Sequence, residues 1–219
     1  MQFDQFISWF PLVFVGAAAL TSLISFSHQY PNSLKGFSLL WIFNFCVDLT
    51  GHILKHLHIR NHWLYNIYDW IFFICLANLY YRQIKNSYIR ALIRGFNLAF
   101  PLLIVADTIF IENIMSLQSI IIIAGGGFII FLAAAYFYQM YMSMENEKIT
   151  RDPWFWFIFG FIVYFGGTVP FMGMLNYLWE INQEFTNAYY RYISNSFAIL
   201  MNILVIAGFL CRTNYQKSL

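Results

Sequence analysis

Long apolar runs separated by short polar segments follow one another along the whole chain. Scanning for runs of about 18 residues or more finds seven, at residues 8–27, 36–55, 63–82, 89–110, 116–142, 154–179 and 188–210. A helix suits such a run inside a bilayer because it satisfies its backbone hydrogen bonds internally. The pattern therefore predicts an all-α, polytopic transmembrane bundle of seven helices, built as a single domain over residues 1–219.

Two local signals add detail to this pattern. Asp152 and Pro153 stand directly before the sixth run, where an acidic N-cap and a proline at the first helical position favour the start of a helix. In the fifth run, Gly125-Gly126-Gly127 offers a small surface that indicates close packing against neighbouring helices. We expect the sixth helix to begin at Pro153 and the glycines to lie at helix contacts.

Composition excludes most soluble classes of protein. The chain is 60% hydrophobic and only 10% charged, whereas soluble domains are about 25% charged. The connecting segments are too short for a soluble catalytic or nucleic-acid-binding domain. The predicted partner is therefore the lipid bilayer, and no interaction with nucleic acid is expected. Cys46, Cys75 and Cys211 fall within apolar runs and are predicted to be small buried side chains without disulfides.

The lysines and arginines are divided unequally between the two sides of the predicted bundle. If the N-terminus lies outside, nine of them face the cytoplasm and three face outward. The positive-inside rule then predicts an N-terminus out, a C-terminus in, and a multi-pass protein of the plasma (inner) membrane. The nine are Lys35, Arg82, Lys85, Arg90, Arg94, Lys148, Arg151, Arg212 and Lys217, and the three are Lys55, Arg60 and Arg191.

Two acidic residues inside the apolar runs are the strongest indication of function. A charge at the centre of a membrane helix costs roughly 2.5–3.5 kcal/mol, so Asp48 and Asp69 should face other protein groups. Both lie nearly equidistant from His58, in the short connection between the second and third helices. The hairpin should therefore place the two carboxylates at one depth in the outer leaflet.

Polar residues at helical spacing extend this prediction to three further helix faces. Asn44, Asp48, His52 and Lys55 recur at steps of four, four and three, so they share one face of the second helix. Similar spacing joins polar residues of the sixth and seventh helices. We expect one outward-facing cavity, and its predicted ligand-binding residues are Asn44, Asp48, His52, Tyr65, Asp69, Asn176, Arg191 and Asn195.

Charge suggests what such a cavity binds. Two carboxylates and the guanidinium of Arg191 leave one excess negative charge or one shared proton, which suits a cationic or amphipathic ligand, or a proton relay. The same residues could instead form structural contacts between helices, with Arg191 extending to the membrane surface. His52 and His56 have helical spacing, but no second histidine cluster completes a metal site. No metal, cofactor or catalytic residue is predicted.

Three further segments carry a resemblance to a known group of proteins. They are Asp152-Pro153-Trp154-Phe155-Trp156, Tyr164-x-x-Gly167-Thr168 and Asn202-x-Leu204-x-x-Ala207-x-x-Leu210-Cys211-Arg212. Over most of its length, the chain resembles uncharacterised bacterial seven-helix membrane proteins, which are similar to the membrane-sensor portions of some histidine kinases. The resemblance implies a sensor, and because this chain ends at Leu219 without a kinase domain, it implies a separate signalling protein as partner.

These observations leave three functional hypotheses. The first is a seven-helix sensor or receptor that binds a small-molecule ligand and signals to a separate partner. The second is a small-solute or proton-coupled transporter, and the third is an intramembrane enzyme that uses the paired aspartates as acid and base. Polar residues that continue through the inner half would favour transport, and Asn97, Tyr136, Tyr138 and Gln139 are the residues to examine there.

Overall fold

Helices account for all the regular structure in the computed structural model, which describes residues 2–25, 32–143 and 149–217. A 3-10 turn, Ile149–Arg151, precedes α6, and a π-helical turn, Tyr190–Ser194, joins α7 to α8. The helices are α1 Gln2–Ile24, α2 Asn32–His56, α3 His62–Gln83, α4 Ser87–Phe110, α5 Ser119–Ser143, α6 Pro153–Ile181, α7 Gln183–Tyr189 and α8 Asn195–Lys217.

Several of these helices have the length and composition of membrane spans. In the described part of the chain, five qualify: Leu34–His56, Ser87–Phe110, Ser119–Met142, Pro153–Leu175 and Tyr192–Cys211. The apolar part of α1, Trp9–Ile24, is shorter, and α3 carries Asn66, Asp69 and Asn78 among its apolar residues. The prediction of an all-α, multi-pass helical bundle is confirmed in this form, with five helices rather than seven that meet the criterion.

The outer surface of the bundle is also that of a membrane protein. Large apolar side chains are exposed along α4, including Leu98, Leu102 and Ile109, each more than half exposed. A soluble monomer rarely exposes contiguous apolar surface of this kind. The surface therefore suits contact with lipid.

Six of the long helices pack as a closed ring, and the seventh lies outside it. Each of α1, α2, α3, α5, α6 and α8 contacts the next, and α8 closes the ring on α1. Helix α4 packs outside against α3 and α5. We call the end with the α2–α3 turn the His58 end, and the end with the α3–α4 turn the Ile84 end.

Residues in the described connections explain where several helices begin and end. Asp152 accepts a hydrogen bond from the Trp154 backbone N–H at 2.9 Å, with Pro153 in the first turn of α6. The predicted start of the sixth helix is confirmed. At the other end of α6, a single residue, Asn182, separates two helices, and its side chain caps α7 by accepting from the Phe185 N–H at 2.9 Å.

The α2–α3 turn ends α2 in a Schellman motif. The Ile59 N–H donates to the Leu54 carbonyl at 2.9 Å and the His58 N–H to the Lys55 carbonyl at 3.1 Å. His58 occupies the left-handed position of this motif, with φ of 58°. The turn is therefore tight, with His58 at its middle, as the sequence predicts.

Two of the three glycines of α5 lie at helix contacts, as predicted, and the third does not. A Cβ added at Gly125 would meet the Phe73 ring on α3, and one at Gly126 would lie 2.6 Å from Val169 Cγ2 on α6. At Gly127 a Cβ would meet no atom within 4 Å. Two of the three glycines therefore allow α5 to approach α3 and α6 closely.

Aromatic side chains fill the ring from its middle to the Ile84 end. The Phe37 ring stacks on Phe157 at 4.1 Å and on Trp41 at 5.0 Å, measured between ring centroids. Trp41 donates through Nε1 to Asn202 Oδ1 of α8 at 2.9 Å, and both residues are fully buried. This half of the ring is thus a packed core.

The predicted environment of the cysteines is wrong for two of the three. All three are free, but Cys46 and Cys75 are exposed on the outside of the bundle, and Cys211 is partly exposed. An apolar run in a membrane helix has one face toward protein and another toward lipid, and apolarity alone does not distinguish them. These thiols occupy the outer face.

Candidate functional site

The packing of α2 against α3 determines the relative depth of the two aspartates. The Tyr65 hydroxyl lies against Gly51, where a Cβ would overlap it, and Asn61 Nδ2 donates to the Gly51 carbonyl at 3.0 Å. Asp48 is three residues deeper than Gly51, about 4.5 Å, and Asp69 is four residues deeper than Tyr65, about 6 Å. The two carboxylates therefore lie at nearly one depth, in the half of the ring toward the His58 end.

The aspartates also interact electrostatically. Asp48 repels Asp69, and Tyr68 is within electrostatic range of both carboxylates. The same tyrosine interacts with Tyr65 on its own helix and with Tyr164 on α6. We call Asp48, Asp69, Tyr65, Tyr68 and Tyr164 the acidic site. It brings together residues of three helices.

Neither carboxylate of the acidic site has a basic partner among the described side chains. Among the side chains that the structure describes, which do not include that of Arg191, no hydrogen bond or ion pair to Asp48 or Asp69 is found. Both aspartates are mostly buried and keep a small exposed part. Where two carboxylates repel each other, a bound cation or a shared proton lowers the electrostatic cost.

Two other predicted residues of α2 have different surroundings. Asn44 is buried, one turn from Asp48. His52 packs against α1, because its ring centroid lies 4.4 Å from the Trp9 ring and 5.8 Å from His56. The electrostatic neighbours described for His52 are Lys55 and His56, not the aspartates. His52 therefore contacts α1, and its place in the predicted cavity stays a prediction.

The residues predicted from the sixth and seventh helices are only partly described. The side chains of Asn176 and Arg191 lie outside the described part of the structure, and Asn195 is half-buried at the start of α8. Arg191 belongs to the π-helical turn Tyr190–Ser194, whereas its predicted alignment with Asn195 assumed an α-helix from residue 188. A π-helical turn holds more residues than an α-helical one, so that α-helical spacing does not apply here.

A second polar cluster, absent from the sequence prediction, joins α3 to the α4–α5 connection at the His58 end. Trp70 Nε1 donates to Gln118 Oε1 at 2.9 Å, and Gln118 Nε2 donates to Thr108 Oγ1 at 2.8 Å. Asn66 Nδ2 donates to the carbonyls of Ile114 and Ser116 at 2.8 and 2.7 Å. These bonds attach the connection to the ring.

A buried acidic residue, which the sequence analysis also did not identify, lies beside this cluster. Asp107 has no exposed surface, and neither of its carboxylate oxygens has a hydrogen-bond partner. Its electrostatic neighbour is Glu112, which accepts from Ser119 Oγ at 2.5 Å and from the Ile120 N–H at 3.3 Å. Glu112 thus caps α5, while Asp107 is left without a partner. Its position three residues from the end of an apolar run gave no signal of burial.

Two surface cavities lie elsewhere on the molecule. The larger, of about 430 Å³, is apolar and is formed by Gly166, Pro170 and Phe171 of α6 together with Phe185 of α7 and Phe197 of α8. The smaller, of about 340 Å³, lies beside Arg60 and Ser116. Neither is lined by Asp48 or Asp69, so the acidic site is distinct from both cavities.

The acidic site can hold a positive charge or share a proton between its two carboxylates, and its tyrosines supply aromatic faces and hydroxyl groups. The described residues contain no group of three or more His, Cys, Asp or Glu side chains placed to hold a metal ion. Comparison of the chain with protein-family models, with curated proteins and with solved structures gives no match.

Proposed function

We propose that this chain is a membrane sensor: a small ligand binds at the acidic site, and the change is transmitted to a separate signalling protein at the opposite end. The observation that carries the proposal is the pair of aspartates on α2 and α3, coupled to one another and without a basic partner among the described side chains. Ionisable residues inside membrane proteins are costly and commonly belong to functional sites.

The filled half of the ring supports a sensor rather than a carrier. Phe37, Trp41, Phe157 and Phe209 occupy the interior toward the Ile84 end and are buried. A carrier that moves polar solutes requires polar groups to continue along its path. The aromatic core therefore separates the acidic site from the Ile84 end.

Most of the polar residues to examine toward the Ile84 end form contacts between helices. Asn97 Nδ2 donates to Asn78 Oδ1 at 3.0 Å between α4 and α3, and Gln139 Nε2 donates to the Gln83 carbonyl at 3.1 Å. Tyr138 is 64% exposed on the outer surface, and Tyr136 is buried against Trp154. These contacts hold helices together, so they support the sensor over the transporter.

The proposal includes an orientation. We propose seven spans in the plasma (inner) membrane with the His58 end outside, because nine lysines and arginines are assigned to the Ile84 side and three to the His58 side. A reporter enzyme that is active only in the cytoplasm, fused after Leu219, is expected to be active. A matched fusion of a reporter that is active only outside should be silent, and the reverse pattern would overturn the orientation.

Ligand binding can be tested without assuming the ligand's charge. The full chain in lipid nanodiscs is screened with amines, amino acids, carboxylic acids and neutral sugars, and the melting temperature is followed by tryptophan fluorescence. A sensor of this kind should be stabilised by at least one class of compound, because a ligand that binds only the folded state raises its stability. Gly51→Ala should reduce this stabilisation, since the added methyl displaces Tyr65. Gly95→Ala is the control, because its Cβ meets nothing.

A compound that stabilises the protein in this screen also distinguishes a sensor from a carrier or an enzyme. On binding, hydrogen exchange is expected to change at the Ile84 end, in residues 84–86 and 149–151, which are remote from the acidic site. No uptake into proteoliposomes and no chemical conversion of the compound are expected. Uptake would replace the proposal with a carrier, conversion would replace it with an enzyme, and the absence of any stabilising compound would refute ligand binding.

A further inference from the structure

The groups of the acidic site narrow the kind of ligand. We propose that the ligand is an organic cation, an amine or ammonium compound, held between the Asp48 and Asp69 carboxylates and against the rings of Tyr65, Tyr68 and Tyr164. This inference rests on the proposed sensor function and adds the chemical class of its ligand. It assigns the aspartates to charge recognition and the tyrosines to the walls of the site.

Charge is the first argument. Two carboxylates at one depth repel each other, and the described side chains, which leave out that of Arg191, provide no lysine, arginine or histidine that bonds to either. Helix α2 carries His52 and Lys55 further along, but the His52 ring lies against Trp9, and Lys55 is exposed at the end of the helix. A cation that enters the site would be attracted by both aspartates, whereas an anion would be repelled by both.

Aromatic walls are the second argument. Tyr68 is central to the site, because it is in electrostatic range of both aspartates and of Tyr65 and Tyr164. Phe43 adds another ring, whose centroid lies 5.8 Å from that of Tyr68. Aromatic faces attract cations, most strongly where water is excluded, and the combination of rings with carboxylates suits an alkylammonium group better than a strongly hydrated metal ion.

Access is the third argument. The aspartates keep a small exposed part and lie toward the His58 end, with the aromatic core on the other side. A ligand that enters from the His58 end would therefore meet them before the aromatic core, and its apolar part would contact Phe43 or the tyrosine rings. Amines with a short alkyl chain combine both properties.

The experiment uses the full chain in nanodiscs and isothermal titration calorimetry with putrescine, tetramethylammonium, sodium chloride and sodium succinate. Putrescine or tetramethylammonium is expected to bind, whereas sodium and succinate are not. Asp48→Asn and Asp69→Asn should each weaken binding about tenfold, because each removes one charge-assisted contact with the ligand. Asp107→Asn makes the same substitution outside the ring and should leave the affinity unchanged.

Tyrosine variants separate the aromatic role from that of the hydroxyl. Tyr68→Phe keeps the ring and should retain most of the affinity, whereas Tyr68→Leu should weaken binding about fivefold. The melting temperature of each variant without ligand shows whether it folds, so a loss of affinity is interpreted only for folded protein. Equal affinities of Tyr68→Leu and wild type would remove the tyrosine from the site.

The outcomes separate this inference from the sensor proposal. If no compound of any charge class binds, both fail. If succinate or a neutral compound binds while both amines do not, the sensor proposal survives and the cationic ligand is refuted. Binding that persists in Asp48→Asn and Asp69→Asn but is lost in Arg191→Gln would likewise refute it, because the recognised group would then be an anion.

Discussion

Replacing Gly125 with alanine is expected to destabilise the protein by about 3 kcal/mol, since overpacking a rigid core costs 1–3 kcal/mol and occasionally more. The added methyl carbon would lie 2.5 Å from Cγ of Phe73, a side chain that is only 1% exposed. Phe73 cannot rotate away easily, because the rings of Phe100 and Phe165 lie 5.9 and 5.6 Å from its own. Either α5 must therefore move away from α3 or the aromatic core must rearrange.

Gly127→Ala is the matched control for this prediction. It makes the same substitution two residues later in α5, where a Cβ meets nothing within 4 Å. It should be neutral or stabilise the helix by about 0.5–1 kcal/mol, because glycine loses more backbone entropy on folding. Unfolding by sodium dodecyl sulfate in mixed micelles, followed by tryptophan fluorescence, measures both. Equal midpoints for the two variants would show that α5 does not approach α3 so closely.

Asp107 and Glu112 are expected to respond to neutralisation with opposite signs. Asp107→Asn should raise the free energy of unfolding by about 1 kcal/mol, because it removes a buried charge that has no hydrogen bond and is repelled by Glu112. Glu112→Gln should lower it by about 1 kcal/mol, because it weakens charge-assisted bonds to Ser119 and Ile120 at the N-terminus of α5. Each change preserves side-chain size.

The same micelle unfolding assay measures this pair, and the double variant adds a check. If the two carboxylates repel each other, part of the gain from Asp107→Asn should disappear once Glu112 is already neutral. A loss of stability in Asp107→Asn would show that its carboxylate is bonded and that the cluster has a different arrangement. Perfect additivity would show that the two groups do not interact.

The helices could be predicted because the signals that specify them, apolar runs and cap residues, lie within short stretches of the chain. A long apolar run needs only neighbouring residues to form a helix, and Asp152 with Pro153 specifies the start of α6 within three residues. The Asp48–Asp69 pair could also be predicted, because a short turn such as the one at His58 gives both helices a common origin from which depth is counted. The π-helical turn at Tyr190–Ser194 carried no such signal, and the predicted alignment of Arg191 was lost with it.

The direction in which each side of a helix points, and the helices that it contacts, depend on tertiary structure. The position of α4 outside the ring, the exposure of Cys46 and Cys75 and the contact between His52 and Trp9 all depend on how each helix is rotated against others. Apolar residues can face lipid or protein at similar cost, so an apolar sequence does not specify that rotation. The sequence by itself therefore determined the helices, their apolar character and the common depth of the two aspartates. Packing between helices decided which side chains surround the two aspartates. It also buried Asp107 without a hydrogen-bond partner for its carboxylate oxygens.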